Sequence, residues 1–332
     1  MNRILPFFLL LILSCNTWGQ KSMSVSGQTQ GTTFHVTYLD PKERNLERQL
    51  IQLLIDFDLS VSTYNPNSII SKINRNEPKV KLDAYFTYCF VKAKEIWQLS
   101  NGAFDPTVYP VVNAWGFGPE KKSKLEQQQL DSLLQFVGFE KIVLVDGKIV
   151  KKDPRVQLDF NAFAQGYSVD VLSAFLLKKG IENFIVEIGG EVYTHGRDAA
   201  GNKWRIGLEQ PTENKQSKNP LTVIFELENQ AVATSGNYRR FSIENGVKIV
   251  HHIDPKTGKP TSNNLLSASV FTDACISSDA LATAFLVMGL DESKRFLAQH
   301  PEIQVYLIYS DEQGNYQVYL SDKIADWIAP EQ

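Results

Sequence analysis

Across 332 residues the chain holds only three cysteines, five histidines and three methionines. There is no Cys-x-x-Cys pair and no histidine-rich stretch, so the usual signatures of a zinc or haem site are absent. Neither a Gly-x-Gly-x-x-Gly fingerprint nor a Walker loop occurs, which excludes the two common dinucleotide and nucleotide motifs. No basic block stands out, and 34 Lys and Arg against 37 Asp and Glu leave a formal net charge of -3, which argues against nucleic acid as a partner. The apolar run from Ile4 to Leu13 is too short to span a bilayer. Past Met23 there is no Pro/Gly/Ser-rich linker, so one domain is the simpler count.

Met1, Asn2 and Arg3 precede that apolar run as they would in an export signal. The run ends in Ile12-Leu13-Ser14-Cys15, which resembles a bacterial lipoprotein cleavage box. That implies an export segment from Met1 to Ser14, a lipidated Cys15, a polar linker to Met23 and a domain from Ser24 to Gln332. The alternative is an ordinary signal peptide cut near Gly19. With Cys15 in the anchor, Cys89 and Cys275 remain. Both read as small buried hydrophobes, and a disulfide between them is left open.

Strand-like and helix-like segments alternate without a repeat. Gly31 to Tyr38 alternates as a strand does, Leu46 to Phe57 and Asp83 to Ser100 are apolar at helical spacing, and Asn101-Gly102 stops the second helix. Gly102 to Pro119 is long, apolar and rich in Gly, Pro and aromatics. It reads either as a site where a flat ligand stacks on Phe104, Tyr109 or Trp115, or as a packed Ω-loop. Leu125 to Phe136 is a helix, and Lys141 to Lys151 turns at Asp146-Gly147. A strand from Arg155 to Phe160 delivers Asp159 to a helix from Asn161 to Lys179. The Gly189-Gly190 pair inside the Asn183 to Gly196 strand run signals a bulge or a close backbone approach. Lys203 to Glu209 pairs with Leu221 to Leu227, Ala231 to Tyr238 ends in a turn, and the tail forms a helix and a hairpin around Asp311 to Asn315. Hairpins this frequent, mixed with helices, give an α+β fold with a mostly antiparallel sheet rather than a doubly wound one.

The most specific chemical signal lies between His251 and Thr283. His251-His252-Ile253-Asp254-Pro255-Lys256-Thr257-Gly258 closes in two turn-forming pairs. Ser277 or Ser278 can cap a helix whose first turn holds Asp279, and Thr283, four residues on, shares its face. A carboxylate and a hydroxyl converging there are hard oxygen ligands. They are too few for a calcium cage but suit Mg²⁺, which keeps sites open for water and phosphate. His251 is then a candidate proton acceptor. The plainer alternative is an Asp serving the helix dipole and a Thr bonded to its own backbone.

Taken together, these segments resemble the FAD:protein FMN transferase family, known as ApbE. Six motifs in the family's order carry the resemblance: GTTFHV, STYNPNSIISKIN, GAFDPTVYPVVNAWGFGP, LDFNAFAQGYSVD, VEIGGEV with WRIGLEQP, and VATSGNY followed by HHIDPKTG and SDALATA. The resemblance implies an ApbE-like, T-fold-like domain that moves FMN from FAD onto a Thr or Ser of an acceptor protein through a phosphodiester. Mg²⁺, with Mn²⁺ or Ca²⁺ as substitutes, would be required, and AMP would leave. Carried over by motif, Asp279, Thr283 and the carbonyl of Ala162 would hold the metal. Gln30, Tyr64, Ala103, Phe104, Asp105, Asp159, Gln165 and Ile253 fall where the family meets FAD, and His251 matches the family histidine. Two positions depart from the pattern: Gln165 replaces the usual Lys, so it can hydrogen-bond but not neutralise a phosphate, and Gln30 replaces the usual Met.

The resemblance also implies partners and a place. Family acceptors carry a motif of the kind Asp-x-x-Ser/Thr-Gly-Ala-Ser/Thr, which this chain lacks, and they would be subunits of membrane redox complexes or exported flavoproteins. The protein itself would be lipid-anchored in the bacterial cell envelope, facing the periplasm. Two rival readings use the same residues: a Mg²⁺-dependent FAD pyrophosphatase, and a non-catalytic FAD-binding lipoprotein.

Overall fold

The computed structural model describes residues 21–118, 125–209, 222–237, 241–244, 247–250 and 252–330. The export segment Met1 to Ser14, Cys15 and His251 lie outside the described residues. The strands are β1 (Ser22–Thr29), β2 (Thr32–Leu39), β3 (Ile142–Val145), β4 (Lys148–Lys151), β5 (Phe184–Ile188), β6 (Glu191–His195), β7 (Trp204–Glu209), β8 (Thr222–Leu227), β9 (Gln230–Gly236), β10 (Phe241–Glu244), β11 (Val247–Val250), β12 (Leu265–Thr272), β13 (Gln304–Ser310) and β14 (Tyr316–Leu320). The helices are α1 (Glu47–Val61), α2 (Ile69–Asn74), α3 (Ala84–Leu99), α4 (Tyr109–Ala114), α5 (Gln127–Leu134), α6 (Ala164–Lys178), α7 (Cys275–Met288) and α8 (Leu290–Gln299). Among the described residues no helix is long and apolar enough to cross a membrane.

Eight strands form one sheet in the order β1-β2-β5-β6-β9-β12-β13-β14, and every neighbouring pair is antiparallel. The mixed α+β architecture expected from the sequence is the one observed. β1 starts at Ser22, inside the stretch expected to be linker, because its first residue already pairs with Leu39. Of the two readings of the Gly189-Gly190 pair, the close approach holds and the bulge does not: a Cβ on Gly189 would stand 3.0 Å from Gln165 Nε2 and Thr32 Cγ2. Ile188 pairs with Glu191, so the two glycines, with φ of 67° and 109°, are the central residues of a tight hairpin turn that side chains with a Cβ would strain.

α7 is the helix around which the domain packs. Its sequence, CISSDALATAFLVM, has no polar face, and such a helix is stable only when surrounded. It lies against β9, β12 and α6, and ten of its fourteen residues are buried, so nearly its whole circumference is core. One apolar cluster joins α7 to α3, α8 and the Phe104, Phe160 and Phe163 rings. A second joins α1 and α6 to β2 and β5, and a third lies under the β7–β8 hairpin, with Phe225, Phe271 and Tyr306.

The segment expected as a strand from Arg155 to Phe160 has no strand partner. It is pinned by a side chain instead: Asn74 Nδ2 donates to the Leu158 carbonyl and Asn74 Oδ1 accepts from Leu158 N–H, both at 2.8 Å. Cys89 and Cys275 are both free and fully buried, so no disulfide joins them.

Candidate active site

The expected cap of α7 is corrected by the structure. The helix begins at Cys275, two residues before Ser277, and its N-cap, Ala274, offers no side-chain acceptor. Asp170 of α6 fills the role: Oδ1 accepts from Cys275 N–H at 2.8 Å and Oδ2 from Ile276 N–H at 2.9 Å. Asp279 therefore sits in the second turn and is not there to cap its own helix. Its Oδ2 accepts from Gly166 N–H of α6 at 2.9 Å. In a helix continued backwards, that amide would bond the carbonyl of Ala162; here α6 starts at Ala164, and the amide turns to Asp279. Of the expected metal set, Asp279 thus meets the first turn of α6, Thr283 follows one turn later on α7, and Ala162 lies two residues before α6 begins. Thr283, one turn beyond Asp279, has its Oγ1 3.3 Å from Ser235 Oγ at the end of β9. Ser235, within the VATSGNY motif, was not among the candidate metal or FAD ligands. The hydroxyl-rich Thr234-Ser235-Gly236 run was the signal that could have found it.

The helices meet so closely because of Gly166. A Cβ there would lie 2.4 Å from the Cys275 carbonyl oxygen and 2.8 Å from Asp279 Cβ. The electrostatics follow from the burial. Asp279 is only 7% exposed, and desolvation, then the nearby Glu191 carboxylate, push its carboxyl well above the ordinary range. Burial also lifts Asp170 to about 6. Among the described residues no lysine or arginine is paired with Asp279, so its carboxyl has no compensating cation beside it. Among those residues, too, no three His, Cys, Asp or Glu side chains converge as a metal cage. One carboxylate, one hydroxyl and one carbonyl fit a hard cation that retains water or substrate oxygens as its remaining ligands.

The residues expected to meet FAD fall in two groups. Gln30, at the β1–β2 turn, places Oε1 3.5 Å from Ser168 Oγ, while its Nε2 is buried with no hydrogen-bond partner. Gln165 lies beside the β5–β6 turn, since a Cβ on Gly189 would come within 3.0 Å of both Gln165 Nε2 and Thr32 Cγ2. The two departures from the family pattern are therefore neighbours around the first turns of α6. The second group is chained through Asp159. Its N–H donates to the Pro106 carbonyl at 2.8 Å, and its carboxylate accepts from Asn161 N–H at 2.8 Å. Asn161 Nδ2 in turn reaches Thr63 Oγ1 at 3.0 Å, which brings the Tyr64 turn alongside. Tyr64 is 62% exposed, and Asp159 is half-buried, its carboxyl raised by desolvation to about 6.

Ala103, Phe104 and Asp105 are buried. The Phe104 ring packs against Phe163 with centroids 5.3 Å apart, and Tyr109 is likewise buried. The segment expected as a loop from Gly102 is instead largely helical, a 3-10 turn over Pro106–Val108 running into α4, and the buried Phe104 and Tyr109 rings leave no open stacking slot between them. Asp105 spends Oδ1 on Thr107 and Oδ2 on Phe139 N–H, which fixes the loop's path. A cleft of about 590 Å³ opens beside it, lined among others by Trp97, Gly102, Asp105, Glu140 and Lys256, and it does not reach Asp279 or Thr283. Ile253 is buried with Val111, Leu130 and Val137 and bridges to Pro260. Trp115 Nε1 donates to the Gly258 carbonyl at 2.8 Å, tying the Asp254–Gly258 turn to the Gly102 loop. His252 is buried, its Nδ1 2.6 Å from Asn237 Oδ1.

Known proteins share this fold and much of this sequence. The model of the ApbE family matches residues 30–307. A protein from Haemophilus influenzae named FAD:protein FMN transferase is 34% identical over 328 residues, covering 95% of this chain and 94% of its own length. One of the same name from Vibrio cholerae is 33% identical over 315 residues, with 92% of each chain covered. The solved flavin transferase ApbE of Vibrio cholerae superposes with a TM-score of 0.84 at 30% identity, covering 92% of this chain and 99% of that one. The flavinyl transferase ApbE of Pseudomonas stutzeri, in its apo form, gives a TM-score of 0.84 at 26% identity, covering 94% of this chain and 98% of its own. A match over most of the length, in family model, curated relatives and solved folds alike, is decisive: this chain belongs to the ApbE family.

Proposed function

We propose that the protein is a metal-dependent FAD:protein FMN transferase, which joins the FMN half of FAD to a Thr or Ser hydroxyl of an acceptor protein and releases AMP. The observation that carries the reading is the buried Asp279 carboxylate, held by Gly166 N–H and without a cationic partner among the described residues, one turn from the Thr283 hydroxyl. With the Ala162 carbonyl these residues would hold Mg²⁺, or Mn²⁺ or Ca²⁺ in its place. The ion, when bound, neutralises the diphosphate and polarises the phosphorus under attack.

The chain's own residues do the rest. His251, assigned from sequence, accepts the proton of the acceptor hydroxyl, and an unperturbed imidazole near pKa 6.5 suits that task at neutral pH. The acceptor oxygen forms a bond to the phosphorus on the FMN side, the bond from that phosphorus to the bridging oxygen breaks, and AMP departs with the bridging oxygen. Gln165 and Gln30 offer neutral amide donors to FAD where the family pattern has a cation and a thioether, so charge compensation of the diphosphate falls to the metal. Asp159, Tyr64, the backbone of Ala103 to Asp105 and Ile253 line the path of the dinucleotide.

The acceptor would carry an Asp-x-x-Ser/Thr-Gly-Ala-Ser/Thr motif and belong to a membrane redox complex or to exported flavoproteins. The enzyme would reach it from a lipid anchor at Cys15, on the periplasmic side of the cell envelope. The test is incubation with FAD, Mg²⁺ and such an acceptor domain, followed by intact mass of the acceptor. A gain of one FMN, abolished by EDTA and by His251→Ala, is expected. Free FMN and AMP with an unmodified acceptor would make the protein a pyrophosphatase and overturn the proposal.

A further inference from the structure

We infer that Asp170 is a positioning residue for the metal-binding carboxylate, because α6 and α7 each close the first turn of the other with a side chain from one turn further along. The inference rests on the metal reading proposed above. In α6 the amide is Gly166 N–H and the carboxylate is Asp170, four residues on. In α7 the amide is Cys275 N–H and the carboxylate is Asp279, again four residues on. The exchange is crosswise. Asp279 Oδ2 takes Gly166 N–H at 2.9 Å, and Asp170 takes Cys275 and Ile276 N–H at 2.8 and 2.9 Å.

Three features make the exchange a positioning device and not only a helix cap. The first amides of a helix need acceptors, and Ala274 has none to give, so the start of α7 depends on Asp170. The contact also has no slack. With Gly166 already against the Cys275 carbonyl and Asp279 Cβ, α7 cannot slide towards α6 to recover a lost bond. Finally, Asp279 commits Oδ2 to Gly166, which leaves Oδ1 as the oxygen to offer a cation, and its height along α7 follows from the Asp170 bonds. A carboxylate in a sparse site of this kind has no redundant ligand to absorb a shift.

The experiment uses the full chain and Mn²⁺ alone, without FAD, with free Mn²⁺ followed by electron paramagnetic resonance. Asp170→Asn keeps one acceptor and sets an NH₂ against the other amide. Its Mn²⁺ dissociation constant should rise about tenfold, the size usual for a residue that orients a ligand. Amide exchange at Cys275 and Ile276 should accelerate in the same sample. Asp170→Glu, with two oxygens retained, should recover at least part of the affinity. A purely structural cap would lower stability and leave Mn²⁺ affinity in the folded protein untouched, so an Asp170→Asn value within about twofold of wild type overturns the inference. Should Asp170→Asn not fold, Cys275→Pro removes the N–H received by Oδ1 at the helix position that best tolerates proline. Weakening of several-fold is then expected, and unchanged affinity overturns the inference. Asp279→Asn separates the two levels: if it binds Mn²⁺ as wild type does, the metal reading itself has failed.

Discussion

Substituting Gly166 by alanine tests the packing that holds the site. In the interior of a helix the change normally stabilises by up to about 1 kcal/mol, and less in the first turn where Gly166 sits. Here the new Cβ would stand 2.4 Å from the Cys275 carbonyl oxygen and 2.8 Å from Asp279 Cβ. The first of these atoms is backbone, so no rotamer change relieves the contact, and α6 and α7 must part by several tenths of an ångström. Overpacking of this kind costs roughly 1–3 kcal/mol, which outweighs the propensity gain. Gly166→Ala should therefore be about 1–2 kcal/mol less stable in urea unfolding, with an unchanged m-value. The Gly166 to Asp279 bond should stretch in the same movement, and metal-dependent transfer should fall at least tenfold, roughly the factor 1.4 kcal/mol represents. Wild-type stability and wild-type metal affinity in Gly166→Ala would refute the reasoning.

Three further outcomes follow from the same geometry. Thr283→Val is nearly isosteric and should change stability by under about 1 kcal/mol, the usual worth of one hydrogen bond, yet weaken metal activation at least tenfold; equal activation curves would contradict the ligand role. Asn74→Ala leaves the buried N–H and carbonyl of Leu158 without their partner. It should cost about 2–4 kcal/mol by denaturation, and a loss below about 0.5 kcal/mol would show that water replaces the side chain freely. Asp159 and Asp170, both raised from 3.8 to about 6 by burial, bind protons more tightly in the folded state. Their contribution to stability is complete below pH about 4 and is lost as pH climbs through 6, by roughly 1 kcal/mol each after allowing for water access. Asp159→Asn should flatten that slope between pH 4 and 6, and a curve parallel to wild type would contradict it.

What could be read from the sequence was whatever depends on neighbours along the chain. The Asp279 to Thr283 spacing placed an acid and an alcohol on one helical face, and Asp146-Gly147 marked its hairpin, because both are local. The cap of α7 was misassigned to Ser277 or Ser278 because its true acceptor, Asp170, belongs to another helix. The apolar alternation of Arg155 to Phe160 implied a strand, but a side-chain amide took the place of a ladder. Aromatic density around Gly102 to Pro119 marked a special loop without telling which way its rings turn. Phe104 turns inward because Phe163 and the α7 cluster offer more apolar surface than solvent does, and Tyr109 is buried too. Gln30 and Gln165 were each visible as departures, and only the fold brings Gln30 to the helix that carries Gln165.

The proposed chemistry needs a cation at the junction of α6 and α7. Crystals grown with Mn²⁺ and measured at an X-ray energy where manganese scatters anomalously address it directly. A single strong peak within bonding distance of Asp279, Thr283 and the Ala162 carbonyl, absent from Asp279→Asn crystals, is the predicted result. Manganese held elsewhere in the molecule, with nothing at Asp279, would contradict it.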